Sequence, residues 1–302
     1  MRLRVIHLGR RRERFRSGAP GFMTWTVALG LMLTPIVGWV AENMVDEKSA
    51  QAALAHEADE RARDEMLEQG WLPLDVGPAR KRLSATRGVE LLSAQRDFAL
   101  PLANGTVAGK PAARADLERA SLLLVTELER YPRTFLGKSR FSRVLLCTGL
   151  TEGGAVIPSL PNFHRTLLLD VSAPTPFLRR LVHHEVFHFA DYADDDQVSR
   201  DPAWEKLNDH WFVYGSGGRF ARDGKTAVFG SGGPGFVTGY ARSALEEDKA
   251  EVFAFAMAEP ARLAKLTARD AIVRKKLASV RSQLHGLDTE LDDAFWQSVS
   301  RQ

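Results

Sequence analysis

His184-Glu185-Val186-Phe187-His188 places two imidazoles four residues apart, with a carboxylate beside the first. On a helix, positions i and i+4 lie one turn apart on one face, so both rings can reach a single ion. Neutral imidazoles are common zinc ligands, at about 2.0–2.1 Å. Glu185 sits about 100° further round the helix. It therefore flanks the ion instead of ligating it, where it can take a proton from a water that the metal acidifies. The neighbours Leu181, Val182, Val186, Phe187 and Phe189 are apolar, so the helix is expected to be buried. A carboxylate beside two imidazoles is costly there unless a cation compensates it.

Five residues do not make a metal site. A catalytic zinc takes three protein ligands and leaves a fourth position for water. Glu247 and Glu251 supply candidates: they too are four apart, and Ala250 and Ala254 give their side of the helix a small surface that another helix can approach closely. One of these carboxylates can complete the ligand set. The other can accept a hydrogen bond from a ligating histidine and fix its tautomer. An acidic first turn also suits a helix N-terminus, which accounts for Glu246, Glu247 and Asp248 better than for Glu251. Asp194 is the other candidate ligand, although Asp191 stands where a His-x-x-Gly-x-x-His continuation has its glycine. His183 points to another face, as a structural or supporting residue. His210, in Asn208-Asp209-His210-Trp211, is a candidate substrate contact or a loop histidine.

The pair His-Glu-x-x-His and Glu-x-x-x-Glu resembles the gluzincin zinc metallopeptidases, in which a glutamate on a later helix is the third ligand. More narrowly, Tyr240-Ala-Arg-Ser-Ala-Leu-Glu-Glu-Asp-Lys-Ala-Glu looks like the second motif of bacterial zinc-binding metallopeptidases. It is also similar to that of lethal-factor-type catalytic domains, where a tyrosine precedes the ligand glutamate by seven residues, as Tyr240 precedes Glu247. The resemblance covers roughly residues 140–260 and is more specific for the metal site than for substrate. It implies Zn2+ on His184, His188 and Glu247, with Glu251 beside a ligand and Tyr240 donating to the developing oxyanion. The implied reaction is hydrolysis of a peptide or protein substrate, with Glu185 as base and then acid. The 58 residues between His188 and Glu247 depart from the short spacing of thermolysin-like members. The competing class is a membrane-tethered binding or structural protein with a non-catalytic zinc site.

These residues need elements to position them. Thr175 and Pro176 suit the N-cap and first position of the motif helix, and Ser243 with Glu246 fits a capping box for the glutamate helix, which should run to about Met257. Ala115 to Tyr131 reads as an amphipathic helix ended by Pro132, Arg143–Leu150 and Arg165–Val171 read as strands, and two helices should follow Pro260. The segment 71–114 gives weak signals. The stretch from Gly215 to Gly239 holds nine glycines and lacks the Lys-Ser/Thr of a phosphate cradle, so it is expected to be a rim or lid near Tyr240. The expected fold class is α+β: a zincin-like metallopeptidase domain with a small, mostly antiparallel sheet and active-site helices. The strand at Arg165–Val171 lies just upstream of the motif helix, where a sheet edge can add an extended peptide.

The net charge of +3 is unevenly distributed. Within residues 1–20, seven arginines against Glu13 give +6, which leaves −3 for the rest of the chain and no support for nucleic-acid binding. Gly21 to Ala41 is predominantly apolar and uncharged, about the length that spans a bilayer, with Trp25 and Trp39 near its ends. The arginines precede it and Glu42, Asp46 and Glu47 follow, so the expected topology is a single-pass inner-membrane anchor. The tail is then cytoplasmic and the remainder exported. A cleaved signal peptide is the rival, disfavoured by Trp39 where a small residue belongs. The expected organisation is a tail (1–20), an anchor in the lipid bilayer (21–41), a solvated helical stalk (42–70) and a metallopeptidase-like domain (71–302). The single cysteine, Cys147, excludes an internal disulfide and reads as a small buried hydrophobe.

Overall fold

Val144-Leu145-Leu146-Cys147 is an uninterrupted apolar run whose side chains alternate between two faces, so both faces must be covered. In the computed structural model all four are fully buried. The structure describes residues 57–75, 79–102, 105–195, 200–215, 217 and 232–301. The strands are β1 (Trp71–Pro73), β2 (Glu90–Ala94), β3 (Phe98–Leu102), β4 (Gly105–Lys110), β5 (Arg143–Glu152), β6 (Ala155–Val156), β7 (Ser159–Phe163) and β8 (Thr166–Asp170). The helices are α1 (57–68), α2 (Ala79–Arg87), α3 (Arg114–Leu128), α4 (Phe135–Lys138), α5 (Thr175–Asp195), α6 (Pro202–Glu205), α7 (Leu245–Ala258), α8 (Pro260–Arg269), α9 (Ala271–Leu287) and α10 (Asp293–Ser300). A 3-10 turn, Tyr240–Arg242, precedes α7.

The sheet is mixed. Residues 143–147 of β5 run parallel to β8, and residues 143–146 also pair in parallel with β2. From Thr148 onward β5 pairs antiparallel with β4 and β6, and Gly149 in this stretch has a φ of 61°, which favours glycine. Most pairings are antiparallel, as expected, but the centre is parallel, with β5 between β2 and β8. Val144 and Leu146 face the main core, which α3, α5 and α7 cover. Leu145 and Cys147 face a second core with Trp71 and Phe98. Each leucine so buried contributes about 2 kcal/mol. Ala62 and Met66, in the segment expected to be a solvated stalk, are buried in that second core.

Several local expectations are corrected. β8 is interior, lying between β5 and β7, and β7 is the outer strand; among the described residues β7 pairs with β8 alone. The edge available for strand addition is therefore that of β7. The carbonyl of Pro174 accepts from the amide of Leu178 at 3.0 Å, so α5 is capped one residue before Thr175. Ser243 does not cap α7: its hydroxyl donates to the Tyr240 carbonyl at 2.7 Å, and Ala244 takes the N-cap position without a side-chain bond. The C-terminal region holds three helices instead of two, because Asp270 accepts from the amides of Ile272 and Val273 and starts a new helix there. The segment 71–114 contains four short strands and α2. Among the described residues no helix is long and apolar enough to cross a membrane. The expected anchor at 21–41 lies outside the described residues.

Candidate metal centre

The site forms where α5 lies along α7. Ala250 and Ala254 are fully buried at this contact, so the two backbones can approach, and Phe187 meets Phe253 at 5.4 Å between ring centroids. α5 presents His184 and His188, with ring centroids 4.8 Å apart, and α7 presents Glu247 and Glu251 one turn apart. His184 Nε2 lies 2.9 Å from Glu247 Oε2 and 3.0 Å from His188 Nε2, while His188 Nε2 lies 3.4 Å from Glu247 Oε2. Three potential ligand atoms thus meet at one point. Atoms held tetrahedrally at about 2.0–2.1 Å from an ion are about 3.3 Å apart, so the observed triangle is close to a zinc ligand set and slightly contracted.

The donor set fits such an ion chemically. Two ring nitrogens 3.0 Å apart cannot both present lone pairs to each other without cost, and a cation between them removes the conflict. Glu251 Oε1 lies 3.0 Å from His184 Nδ1 and accepts its proton, which leaves Nε2 with its lone pair toward the other two atoms. Glu251 is itself held by the Thr238 hydroxyl at 2.7 Å, and the amide of Ala241 donates to Thr238. The Tyr240 hydroxyl donates to Glu247 Oε1 at 2.9 Å, opposite the oxygen that faces the histidines.

Charge is strongly concentrated here. Burial works to lower the His184 pKa, but hydrogen bonds and the charges of Glu247 and Glu251 outweigh it and raise the value to about 10. His188 is raised by Glu247 in the same way, against burial. Burial opposes ionisation of Glu247 and Glu251, yet the histidines hold both below the usual carboxylate range. Two acidic groups that draw protons onto two imidazoles form a set that a divalent cation can neutralise instead.

Glu185, on the flank of α5, is 5% exposed. Its Oε1 accepts from the Ser159 hydroxyl at 2.7 Å, and its Oε2 is buried with no hydrogen-bond partner among the described residues. His183 faces away from the site, as expected. Its Nδ1 lies 2.6 Å from the Tyr131 hydroxyl and its Nε2 lies 3.0 Å from Glu127 Oε2. Asp194 is exposed and 3.3 Å from Gln283, and Asp191 is buried against Lys249 at 3.1 Å, so neither joins the cluster. His210 is exposed on a turn. Of the glycine-rich stretch, residues 216 and 218–231 lie outside the described residues. The flanking amides of Gly215 and Gly217 donate to the carbonyls of Arg242 and Ser243, which joins these two glycines to the turn that carries Tyr240. Ser159 and Thr238 are the site residues that sequence reasoning does not find. Single hydroxyls on a strand end and in a loop have no periodicity to reveal them.

The mixed sheet packs against α5 and α7, which carry the His184, His188 and Glu247 cluster, and a solved structure shares this fold. A crystal structure of a putative zinc-binding metallo-peptidase from Bacteroides caccae matches with a TM-score of 0.50 and 16% identity, over 73% of this chain and 88% of that one. At that identity the likeness speaks for the fold. No family model matches the chain, and no curated protein matches it.

Proposed function

We propose that the chain is a membrane-anchored zinc-dependent peptidase of gluzincin type. In this reading residues 21–41 hold it in the inner membrane and the domain from 71 onward is exported. The convergence of His184 Nε2, His188 Nε2 and Glu247 Oε2 within 2.9–3.4 Å, beside a buried Glu185, carries the reading. The shared fold with a protein described as a zinc-binding metallo-peptidase adds to it. His184, His188 and Glu247 hold the zinc, and Glu251 fixes the His184 tautomer. Zinc, when bound, supplies a Lewis acid that polarises the scissile carbonyl and lowers the pKa of water. Glu185 takes the proton of the attacking water onto its carboxylate and returns it to the leaving nitrogen. Tyr240, next to Glu247, donates its hydroxyl to the oxyanion as the substrate is attacked. An extended substrate adds to the outer edge of β7, whose first residue is Ser159.

The test is Glu185→Gln in the full chain. The variant should keep one equivalent of zinc and lose cleavage of a quenched fluorescent peptide library that the parent cleaves. Retained cleavage would refute the role of Glu185. A parent that binds zinc tightly but cleaves nothing, with all four metal positions filled by protein, would favour a zinc-stapled binding or structural protein.

A further inference from the structure

We propose that Ser159 is the positioning residue for Glu185, and that Oε2 of Glu185 is the oxygen that exchanges the proton. The proposal deepens the peptidase reading and rests on it for its catalytic part. A free glutamate side chain has two equivalent oxygens and three rotatable bonds, so a base at the end of it is placed only if something holds it. Here Ser159 donates to Oε1 at 2.7 Å, a charge-assisted bond of normal length for hydroxyl to carboxylate. The donor is itself fixed. Ser159 is 6% exposed, pairs in register with Leu169, and follows Pro158, whose carbonyl accepts from the amide of Asp170. β8, to which it is tied, lies between two strands and cannot shift without breaking the sheet.

The second oxygen carries the other half of the argument. Oε2 is buried and has no hydrogen-bond partner among the described residues. A buried carboxylate oxygen without a donor is costly, and such an orphan in a folded protein calls for an explanation. A serine that holds one oxygen while leaving the other unserved provides it, because the unserved oxygen is then the acceptor that water or a leaving amine meets. The hydroxyl also comes from the outer strand of the sheet, so the same strand that presents the edge orients the base. In proton balance, Oε2 gains the proton that the attacking water loses and later gives it to the leaving nitrogen, while the Ser159 proton stays on its own oxygen throughout.

The experiment is a cycle of Ser159→Ala and Glu185→Gln, with Ser159→Thr as the conservative variant, all in the full chain. In the metal-free protein, urea unfolding should show coupling. Ser159→Ala should reduce the folding equilibrium constant on the order of tenfold when Glu185 is intact, and much less in the Glu185→Gln background. In the zinc-loaded protein, Ser159→Ala should lower kcat on the order of tenfold, with KM and zinc affinity within about twofold, and Ser159→Thr should restore most of it. Additive effects in the metal-free cycle would overturn the proposal, as would full kcat in Ser159→Ala when the parent cleaves. A zinc-loaded parent that cleaves no library peptide would instead overturn the peptidase reading, and the metal-free cycle would still decide whether Ser159 holds Glu185.

Discussion

Replacing Lys276 by Met should be among the most damaging single changes in the domain, and a second substitution should reverse most of the damage. Lys276 and Asp248 are fully buried, one on α9 and the other next to Glu247 on α7. The ammonium lies 2.6 Å from Asp248 Oδ2, donates to the Gly235 carbonyl at 2.8 Å and sits 3.8 Å over the Phe236 ring. Asp248 also accepts from Tyr214 and Trp204. One pair thus joins two helices to Tyr214, Trp204 and Gly235. Burial pushes the Asp248 pKa up and the Lys276 pKa down, against their mutual attraction. The attraction therefore offsets only part of the desolvation of the two charges. Lys276→Met leaves a buried carboxylate without its cation and should cost about 3–5 kcal/mol, lowering Tm on the order of 10 °C for a domain of this size. Asp248→Asn together with Lys276→Met keeps an acceptor for Tyr214 and Trp204 and removes the charge, so most of that loss should return. The assay is urea and thermal unfolding of the two single variants and the double. A loss under about 1 kcal/mol in Lys276→Met, or a double variant no more stable than that single variant, would show that the uncompensated Asp248 charge is not the source of the damage.

Acid should unfold the domain partly through Glu127. Burial works against its ionisation, but His183 and Arg130 hold its pKa at about 2, down from 4.5. Because the folded value is the lower one, its contribution is complete above pH 4.5 and fades as pH falls toward 2. Glu127→Gln should remove that contribution at pH 6 and flatten the acid limb of stability against pH, as read by urea midpoints. Glu251→Gln replaces the acceptor of the His184 Nδ1 proton and should weaken zinc about 10- to 100-fold in a chelator competition. Gly232→Ala would drive a Cβ into the carbonyl of Phe236. It should lower stability by about 1–3 kcal/mol, read from the urea midpoint.

What was legible in the sequence follows from range. The positions of His184, His188, Glu247 and Glu251 could be read because each pair shares one helix face, and a four-residue spacing encodes a face directly. Ala250 and Ala254 further marked where α7 could lie close to another helix. Long-range pairings were not legible in this way. Arg165–Val171 reads as a strand from its residues alone, but whether it is interior depends on β7, whose Ser-Leu-Pro-Asn-Phe has little strand character. Ser243 and Glu246 match a capping box, yet the 3-10 turn at Tyr240 takes the Ser243 hydroxyl first. Ser159 reaches Glu185 across 26 residues and Thr238 reaches Glu251 across 13, and only the folded chain brings them together.

Whether α5 and α7 together hold a zinc ion is decided by metal content. The full chain and its His184→Ala and Glu247→Ala variants would be purified, equilibrated with zinc, dialysed and analysed for bound metal. The parent should hold one zinc per chain and both variants should lose it, with all three proteins folded. Zinc lost only with His184 would contradict Glu247 as a ligand, and a parent that takes up no zinc would contradict the metal centre altogether.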